Sequence, residues 1–148
     1  AGGHLTDPPS DSVYSSVVTR ESVRIMFTIA ALNGLDLLGA DVQNAYINAL
    51  TKEKVYTTAG LEFGSNAGRP ALIVRALYGL KSSGARWRDH FASILRQEGF
   101  RSSLADADVW MRKARKPCGF VYWEYLLAYV DDILIISHQP HLVIDFLS

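Results

Sequence analysis

The stretch from Tyr125 to Ile136 is the feature that most restricts how this chain can fold. It reads Tyr-Leu-Leu-Ala-Tyr-Val-Asp-Asp-Ile-Leu-Ile-Ile, so apolar or aromatic residues flank one pair of carboxylates, Asp131 and Asp132. Two apolar runs around a short break predict two buried strands of a hairpin, with the acids at or beside the turn. Burying adjacent carboxylates is costly unless they are paired or bind a metal ion. Taken alone, the stretch favours a solvated Asp-Asp turn, because aspartate suits turns.

Length and composition limit the class of protein. The 148 residues are enough for one domain with a core, and a hydrophobic content of 49% excludes a disordered segment. The single cysteine, Cys118, excludes an intramolecular disulfide and a cysteine-rich zinc site. No apolar run approaches the ~20 residues of a membrane span, and the first nine residues lack the features of a signal peptide. The missing initiator methionine indicates a fragment or a processed product.

Charge is distributed unevenly, although the formal net charge is zero. Residues 69–116 hold 11 of the 15 Lys and Arg residues and four of the 15 acids, so this segment carries +7 and the remainder −7. A basic segment beside an acidic remainder fits a surface for phosphate with a separate metal site. A solvated helix face followed by a basic loop explains the charges equally well, so charge alone leaves both interpretations open.

Hydrophobic periodicity and turn residues predict an α+β fold, in which helices cover one face of a sheet. Helices are predicted at 20–32, 82–98 and 141–146, and strands at 35–40, 55–58, 71–77, 108–111, 120–130 and 133–137. The first helix has Thr19 as its cap and Asn33-Gly34 as its stop. It is apolar on most sides, so we expect it to be buried, like the strand that follows it. Residues 112–119 are predicted to form a basic turn, and Arg86 to lie on the polar side of the second helix.

Asp41 shares the setting of the acidic pair, because it too ends an apolar strand next to a turn. If these strands are neighbours, Asp41, Asp131 and Asp132 converge at one end of a sheet. Hard oxygen donors without His or Cys suit Mg²⁺ or Mn²⁺. Two such ions about 4 Å apart can hold the attacking and leaving oxygens of a phosphoryl transfer. On spacing alone, a metal site and coincidental turn acids carry equal weight.

Three motifs, in their order and spacing, resemble the reverse transcriptase of copia-type LTR retrotransposons. They are Asp41-Val-Gln-Asn-Ala-Tyr46 with Asn48, Leu77-Tyr-Gly-Leu-Lys81 followed by Trp87, and Tyr129-Val-Asp-Asp132. The resemblance covers essentially the whole chain. Residues 18–24 look like the family segment before the first acid, and residues 1–4 look like the tail of the basic fingers segment. The resemblance implies an RNA-directed DNA polymerase: a partial right-hand fold, with a ferredoxin-like antiparallel palm sheet and part of the fingers. Residues 1–34 would be the fingers side and 35–148 mainly the palm, with thumb and RNase H absent.

The resemblance also implies roles for individual residues. Asp41 and Asp131 would hold two Mg²⁺ ions, with Asp132 beside them and the Val42 carbonyl as a further ligand; Mn²⁺ is possible. Tyr46 matches the bulky residue under the incoming sugar. An aromatic ring there would clash with a ribose 2′-OH and so select deoxynucleotides.

Further residues are expected to meet nucleotide and nucleic acid. Gly79 and Lys81 match the loop against the nucleotide and template, where glycine permits close backbone approach and lysine meets phosphate. Tyr129 and Val130 would pack beside the primer end, and Lys81 and Arg86 would contact nucleic acid.

The second motif departs from the family pattern after Lys81. Ser82 stands where Gln is usual and Gly84 where Pro is usual. This difference affects the expected nucleotide and template contacts of the loop, but not the acids.

The implied partners are an RNA or DNA template with its primer, dNTPs, and the thumb, RNase H and integrase parts of a polyprotein. No membrane partner is expected, and the implied location is intracellular, in a cytoplasmic virus-like particle. Trp110, Trp123, Tyr122 and Tyr125 could stack bases, although packing within the sheet explains them better.

Two alternatives remain open. One is another two-metal enzyme on a similar palm, such as a nuclease or nucleotide cyclase. Tyr46 argues against it, because those reactions need no sugar selection. The other is a catalytically inactive retroelement remnant that serves as a binding or structural module, which the departures at Ser82 and Gly84 favour.

Overall fold

The computed structural model describes residues 13–145 and residue 147. Its elements are α1 (Arg20–Asn33), β1 (Asp36–Asp41), α2 (Ala45–Asn48), β2 (Leu50–Thr58), a 3₁₀ helix (Leu61–Asn66), β3 (Pro70–Arg75), α3 (Ser83–Gln97), β4 (Arg101–Ser102), β5 (Val109–Arg115), β6 (Val121–Tyr129), β7 (Asp132–Ser137) and α4 (Pro140–Ile144). Residues 1–4, which resemble the tail of the fingers segment, and Phe146, at the end of the predicted last helix, lie outside the described residues.

The chain divides into two compact units. Of the described residues, 13–15 and 44–91 belong to the first unit, and 16–43, 92–145 and 147 belong to the second. The first unit contains the antiparallel pair β2–β3 with α2, and the second contains α1, α4 and the other five strands. The division into fingers-side and palm residues at position 34 stays a prediction.

The second unit is built on an antiparallel sheet whose strand order, among the described residues, is β1-β7-β6-β5-β4. The predicted hairpin is confirmed as β6 and β7, and its strands carry the fully buried side chains of Leu126, Leu127, Ile135 and Ile136. Because α-helices accompany an antiparallel sheet without regular β-α-β alternation, the structure agrees with the α+β class. Within the described residues, no helix combines the length and hydrophobicity needed to cross a membrane.

Helix α1 begins and ends where local chemistry predicts. The Thr19 hydroxyl accepts a hydrogen bond from the Ser22 backbone N–H at 3.2 Å, which satisfies one donor of the first turn. Gly34 ends the helix with φ 57°, a left-handed conformation that glycine adopts without a Cβ clash.

The predicted burial of α1 is wrong. Ala30 is its one buried residue, and it packs with Val23 and Met26 into a cluster that contains Leu127 and Ile136 of the sheet. Ile25 and Leu32 are exposed by 56% and 81%. The reason is geometric: a helix on a sheet surface buries one side, so apolar residues on the other sides remain in solvent.

The predictions for β1 and for residues 112–119 also need correction. Strand β1 is found as predicted, but it is an edge strand and none of its residues is buried. The predicted basic turn is wrong for Arg112–Arg115, because β5 continues to Arg115 in register with β6. The pairing of β5 with β6 outweighs the preference of this polar segment for a turn, since Arg112 lies opposite Glu124 and Lys113 opposite Trp123.

Asp106 anchors the N-terminus of α1 from the loop between β4 and β5. Its Oδ2 accepts hydrogen bonds from the Ser22 hydroxyl at 2.6 Å, the Thr19 N–H at 3.0 Å and the Thr19 hydroxyl at 3.1 Å. Partial burial alone would raise the pKa of the Asp106 carboxyl. The hydrogen bonds from Ser22, Thr19 and the Asp108 backbone N–H outweigh it and hold the pKa below its ordinary value.

We expect Asp106→Asn to lower the free energy of unfolding by about 1 kcal/mol at pH 7, because the helix N-terminus loses its anionic acceptor. A carboxyl whose pKa is lower in the folded state stabilises the protein above its unfolded pKa, and this contribution disappears as the pH falls through the folded value. The difference between wild type and variant in urea unfolding should therefore shrink below about pH 4. Asp36→Asn, at the exposed start of β1, should show little difference at any pH. If the difference in unfolding free energy between wild type and Asp106→Asn did not change with pH, the charge of Asp106 would not be what stabilises the helix N-terminus.

The first unit contains a smaller hairpin. β2 and β3 pair antiparallel, with an irregularity between Leu50 and Val55, so β2 starts five residues before the strand predicted at 55–58. The connection between β2 and β3 contains the 3₁₀ helix. The Ala76 N–H donates to the Ala49 carbonyl at 3.0 Å, which joins the chain after β3 to the end of α2.

Candidate active site

Two of the three candidate aspartates face each other across neighbouring strands of the second unit. In the β1–β7 register Asp41 is the direct partner of Asp132, and in the β6–β7 register Asp132 is also the partner of Tyr129. Directly opposed residues of a sheet point to the same face, with Cβ atoms about 4.5–5.5 Å apart. Asp41, Asp132 and Tyr129 therefore form a row across three strands, and all three side chains are exposed.

Asp131 lies in the turn that joins the hairpin strands. Because Tyr129 pairs with Asp132, Val130 and Asp131 form a two-residue turn. Val130 has φ 58°, and a β-branched residue adopts a positive φ only at a cost of about 1–3 kcal/mol. The Val42 backbone N–H donates to the Asp131 carbonyl oxygen at 2.8 Å. The chain leaving β1 is thereby fixed to the turn that carries the acidic pair.

A pocket of about 570 Å³ lies beside this row, between α1 and the sheet. Val18, Val23, Leu127 and Leu134 contribute apolar lining, and Asp41, Asp132, Tyr129 and Arg20 contribute polar groups. Every lining residue belongs to the second unit. The two facing carboxylates thus border a cavity in which a ligand could reach both of them.

The donor chemistry of this row fits a hard divalent cation. Within the described part of the chain, no three His, Cys, Asp or Glu side chains come together as a ready-made metal cluster. Mg²⁺ does not require such a cluster, because proteins usually bind it through one or two carboxylates together with water and substrate phosphates. Asp41 and Asp132 supply two facing carboxylates, and Asp131 immediately precedes Asp132 in the chain. A site made by all three carboxylates stays a prediction.

The residues predicted to meet the nucleotide lie in the first unit. Tyr46 is on α2, and its ring centre is 4.2 Å from that of Tyr78, with 42° between the ring planes. The Leu80 N–H donates to the Leu77 carbonyl at 3.2 Å, and Gly79 has φ 95° at the third position of this turn. That conformation is typical of a type II turn and favours glycine. Lys81 follows the turn and is exposed.

The two departures from the family motif occupy tight positions. Ser82 is buried, and a Cβ added to Gly84 would lie 3.2 Å from the Ser15 Cβ and 3.9 Å from the Tyr46 hydroxyl. A larger residue at position 84 would therefore press on Ser15 next to Tyr46. Neither contact could be recognised from sequence, because Ser15 and Tyr46 are distant from Gly84 along the chain.

Two further side chains of this segment differ from the sequence-based expectation. The Ser83 hydroxyl donates to the Leu77 carbonyl at 2.6 Å and accepts from the Leu77 N–H at 3.0 Å, so it ties the end of the turn to α3. Arg86 was predicted on the polar side of α3, but it is only 7% exposed, and its guanidinium lies 3.8 Å from Asp89. The contact of Arg86 with nucleic acid stays a prediction.

Comparison with known proteins identifies the class. Residues 5–148 match the family described as reverse transcriptase (RNA-dependent DNA polymerase), which is nearly the whole chain. The chain belongs to this family, and the resemblance inferred from the three motifs is confirmed.

Its curated relatives are transposon polyproteins. The chain is 30% identical over 148 residues to the retrovirus-related Pol polyprotein from transposon RE1 of Arabidopsis thaliana, and 28% identical over 148 residues to that from transposon RE2. It is 27% identical over 135 residues to the retrovirus-related Pol polyprotein from transposon TNT 1-94 of Nicotiana tabacum. These matches cover 97%, 97% and 90% of this chain but 10% of each relative. No solved structure matches the chain.

Proposed function

We propose that this chain is the catalytic part of an RNA-directed DNA polymerase, which adds dNTPs to a primer 3′-OH on an RNA or DNA template during retrotransposition. The observation that carries the proposal is the direct pairing of Asp41 with Asp132 beside the Tyr129–Asp132 turn, in a member of this family. Two facing carboxylates at the turn end of a hairpin are an arrangement suited to phosphoryl transfer and have no evident structural purpose, because like charges opposite each other destabilise a sheet.

In the proposed reaction the primer 3′-OH attacks the α-phosphate of a dNTP and pyrophosphate leaves. Asp41, Asp131 and Asp132 would hold two Mg²⁺ ions, or Mn²⁺, and the Val42 carbonyl would be a candidate further ligand. When bound, such ions lower the pKa of the 3′-OH and stabilise charge on the leaving group. The hydrogen bond from Val42 to Asp131 fixes the distance between the strand end and the turn, so the carboxylates are positioned before substrate arrives.

The remaining roles follow the same proposal. Tyr129 and Val130 pack beside the primer end, Gly79 and Lys81 meet the nucleotide and template, and Arg86 lies along the nucleic acid. The second unit corresponds mainly to the palm, and the other parts of the polyprotein (thumb, RNase H and integrase) complete the enzyme in a cytoplasmic particle.

Primer extension on the full-length natural polypeptide tests the proposal. A labelled DNA primer on an RNA template should lengthen when Mg²⁺ and dNTPs are present, and EDTA should stop the reaction. Lack of extension on both RNA and DNA templates, with the primer still bound, would favour the alternative of an inactive binding module.

Tyr46→Ala is expected to reduce the preference for dNTPs over rNTPs by at least about tenfold, because the ring that would clash with a 2′-OH is gone. Tyr46→Phe keeps the ring and its packing against Tyr78, and it should keep the preference. Single-nucleotide incorporation with matched dNTP and rNTP measures both. If Tyr46→Ala preferred dNTPs over rNTPs as strongly as wild type does, Tyr46 would not select the sugar. The proposal that the chain belongs to a polymerase would be unaffected.

A further inference from the structure

Three side chains from neighbouring strands form a basic and aromatic surface at the opposite end of the sheet from the aspartates. Arg101 lies on β4, Lys113 on β5 and Trp123 on β6. Lys113 is the direct partner of Trp123, and Arg101 is the partner of Met111, two residues before Lys113. The alternation of side chains along a strand therefore places all three on one face. We call Arg101, Lys113 and Trp123 the Trp123 surface.

Both cations of the Trp123 surface lie against the indole ring. The Arg101 guanidinium carbon is 4.7 Å from the ring centre, and the Lys113 Nζ is 5.6 Å from it. Arg101 and Lys113 are exposed, and Trp123 is partly exposed. By contrast, Trp110 is 3% exposed, as expected of a packing residue. Packing within the sheet thus explains Trp110 but leaves the exposed part of Trp123 unexplained.

The two cations of the Trp123 surface form no ion pair with the nearby acids that the structure describes. A pocket of about 660 Å³ adjoins the surface and is also lined by Glu98 and Glu124. Both acids are engaged by Arg112, whose Nε lies 2.5 Å from Glu124 and whose terminal nitrogen lies 3.8 Å from Glu98. Among the residues that the structure describes, neither Arg101 nor Lys113 forms an ion pair. The three cations of this pocket, Arg101, Lys113 and Arg112, outnumber its two acids, so a net positive charge remains beside the aromatic ring for an anion.

This combination matches the chemistry of a single nucleic-acid strand. An unpaired base presents a π face that can stack on an indole, and the phosphates on either side can meet the two cations. In a duplex the base faces are already stacked, so the ring would add little. An acidic polypeptide could use the cations but gives no reason for a partly exposed tryptophan beside them.

We propose that the Trp123 surface is a second binding site, for single-stranded nucleic acid, in which a base displaces the Arg101 guanidinium from the Trp123 ring and the flanking phosphates are held by Arg101 and Lys113. The site is distinct from the aspartate row, because Trp123 and Tyr129 are six residues apart on β6, or about 20 Å. This proposal rests on the proposed polymerase function in one respect, which is that the partner is a nucleic acid.

Fluorescence anisotropy tests the electrostatic part of the proposal. The protein is titrated into a labelled oligothymidylate of about ten nucleotides in EDTA, so that binding does not depend on catalysis. Arg101→Glu/Lys113→Glu should bind at least about tenfold more weakly, and the slope of log K against log salt should fall by about 1.4, the value for two phosphate contacts on a single strand. The control Arg24→Glu/Arg96→Glu makes the same charge change in the same unit and should alter affinity by less than about threefold.

A second pair of variants tests stacking. Trp123→Ala should lower affinity at least about fivefold, and Trp123→Phe should retain most of it. Circular dichroism spectra and melting temperatures close to those of wild type would show that each variant is folded.

Three results would overturn the proposal. The first is equal loss in Arg101→Glu/Lys113→Glu and in the control double variant. The second is unchanged binding by Trp123→Ala. The third is tighter binding of a labelled polyglutamate than of the oligonucleotide, with the same dependence on these residues, which would assign the surface to an acidic polypeptide. Since binding is measured without metal, loss of primer extension with retained oligonucleotide binding counts only against the polymerase proposal.

Discussion

An Asp41→Asn variant is expected to extend a primer at least about 10²-fold more slowly than wild type, with the fold retained. Asparagine has nearly the same shape as aspartate but carries no charge. The substitution therefore removes an anionic oxygen that we propose as a metal ligand, together with the electrostatic stabilisation that would depend on it. Steady-state extension with saturating Mg²⁺ and dNTPs measures the loss. Asp36→Asn is the matched control, since Asp36 is an exposed aspartate on the same strand, and it should extend at the wild-type rate. Comparable activity in Asp41→Asn and wild type would refute the metal-site assignment.

The acidic pair of the hairpin allows a finer comparison. The family resemblance implies that Asp131 acts with Asp41, whereas the strand register pairs Asp41 with Asp132. We expect Asp131→Asn to lower extension as far as Asp41→Asn does, and Asp132→Asn to lower it less, by about tenfold. If Asp132→Asn were the more damaging of the two, the facing pair itself would be the principal metal site.

Thermal melting separates metal binding from catalysis. Mg²⁺ at about ten times its Kd should raise the melting temperature of wild type by about 3–6 °C, and Asp41→Asn should lose most of that rise. Without metal, Asp132→Asn should melt higher than wild type, because facing carboxylates repel each other. A variant that is more stable and yet less active would be the signature of a functional site.

The second large effect concerns stability. Arg112→Met is expected to lower the free energy of unfolding by about 3 kcal/mol, because it leaves the carboxylate of Glu124 buried without its cation. Glu124 is 4% exposed, and its second oxygen accepts a hydrogen bond from Ser137 at 2.8 Å. The Arg112 guanidinium also lies over the Phe100 ring at 4.5 Å and donates to the Glu98 carbonyl at 2.8 Å. Urea unfolding at pH 7 measures the change.

Two variants control this experiment. Arg115→Met, on the same strand, removes an exposed arginine whose guanidinium bonds the Gly119 carbonyl, and it should cost less than about 1 kcal/mol. Arg112→Met/Glu124→Leu removes both charges and should recover at least half of the loss, because a buried pair can often be replaced by apolar residues. A double variant no more stable than Arg112→Met would show that packing of the arginine, and not its charge, is what matters.

The parts of the fold that follow from neighbouring residues were predictable. Thr19 and Gly34 bound α1 through contacts within one turn of chain, and the apolar runs around Asp131 and Asp132 form the hairpin as predicted. The motifs at Asp41, Tyr78 and Tyr129 were enough to recognise the family, which the match over residues 5–148 confirms.

The predicted burial of α1 was wrong, and so was the turn predicted at Arg112. The apolar side chains of α1 are exposed because the sheet covers only one side of the helix. Arg112 lies in a strand and not in a turn, because Glu124 on β6 compensates its charge. Composition gives no information about such partners, since they are brought together only by strand pairing.

The β6–β7 hairpin and the caps of α1 were thus determined by the sequence alone, and the sequence was also enough to identify the family. Only the tertiary structure decided that Asp132, and not Asp131, faces Asp41, and that Arg101 and Lys113 both lie against the Trp123 ring. The physical reason is that local patterns fix the direction of side chains along one strand. The register between strands distant in sequence is instead set by the packing of the whole sheet, and a shift of one residue would turn every side chain to the opposite face.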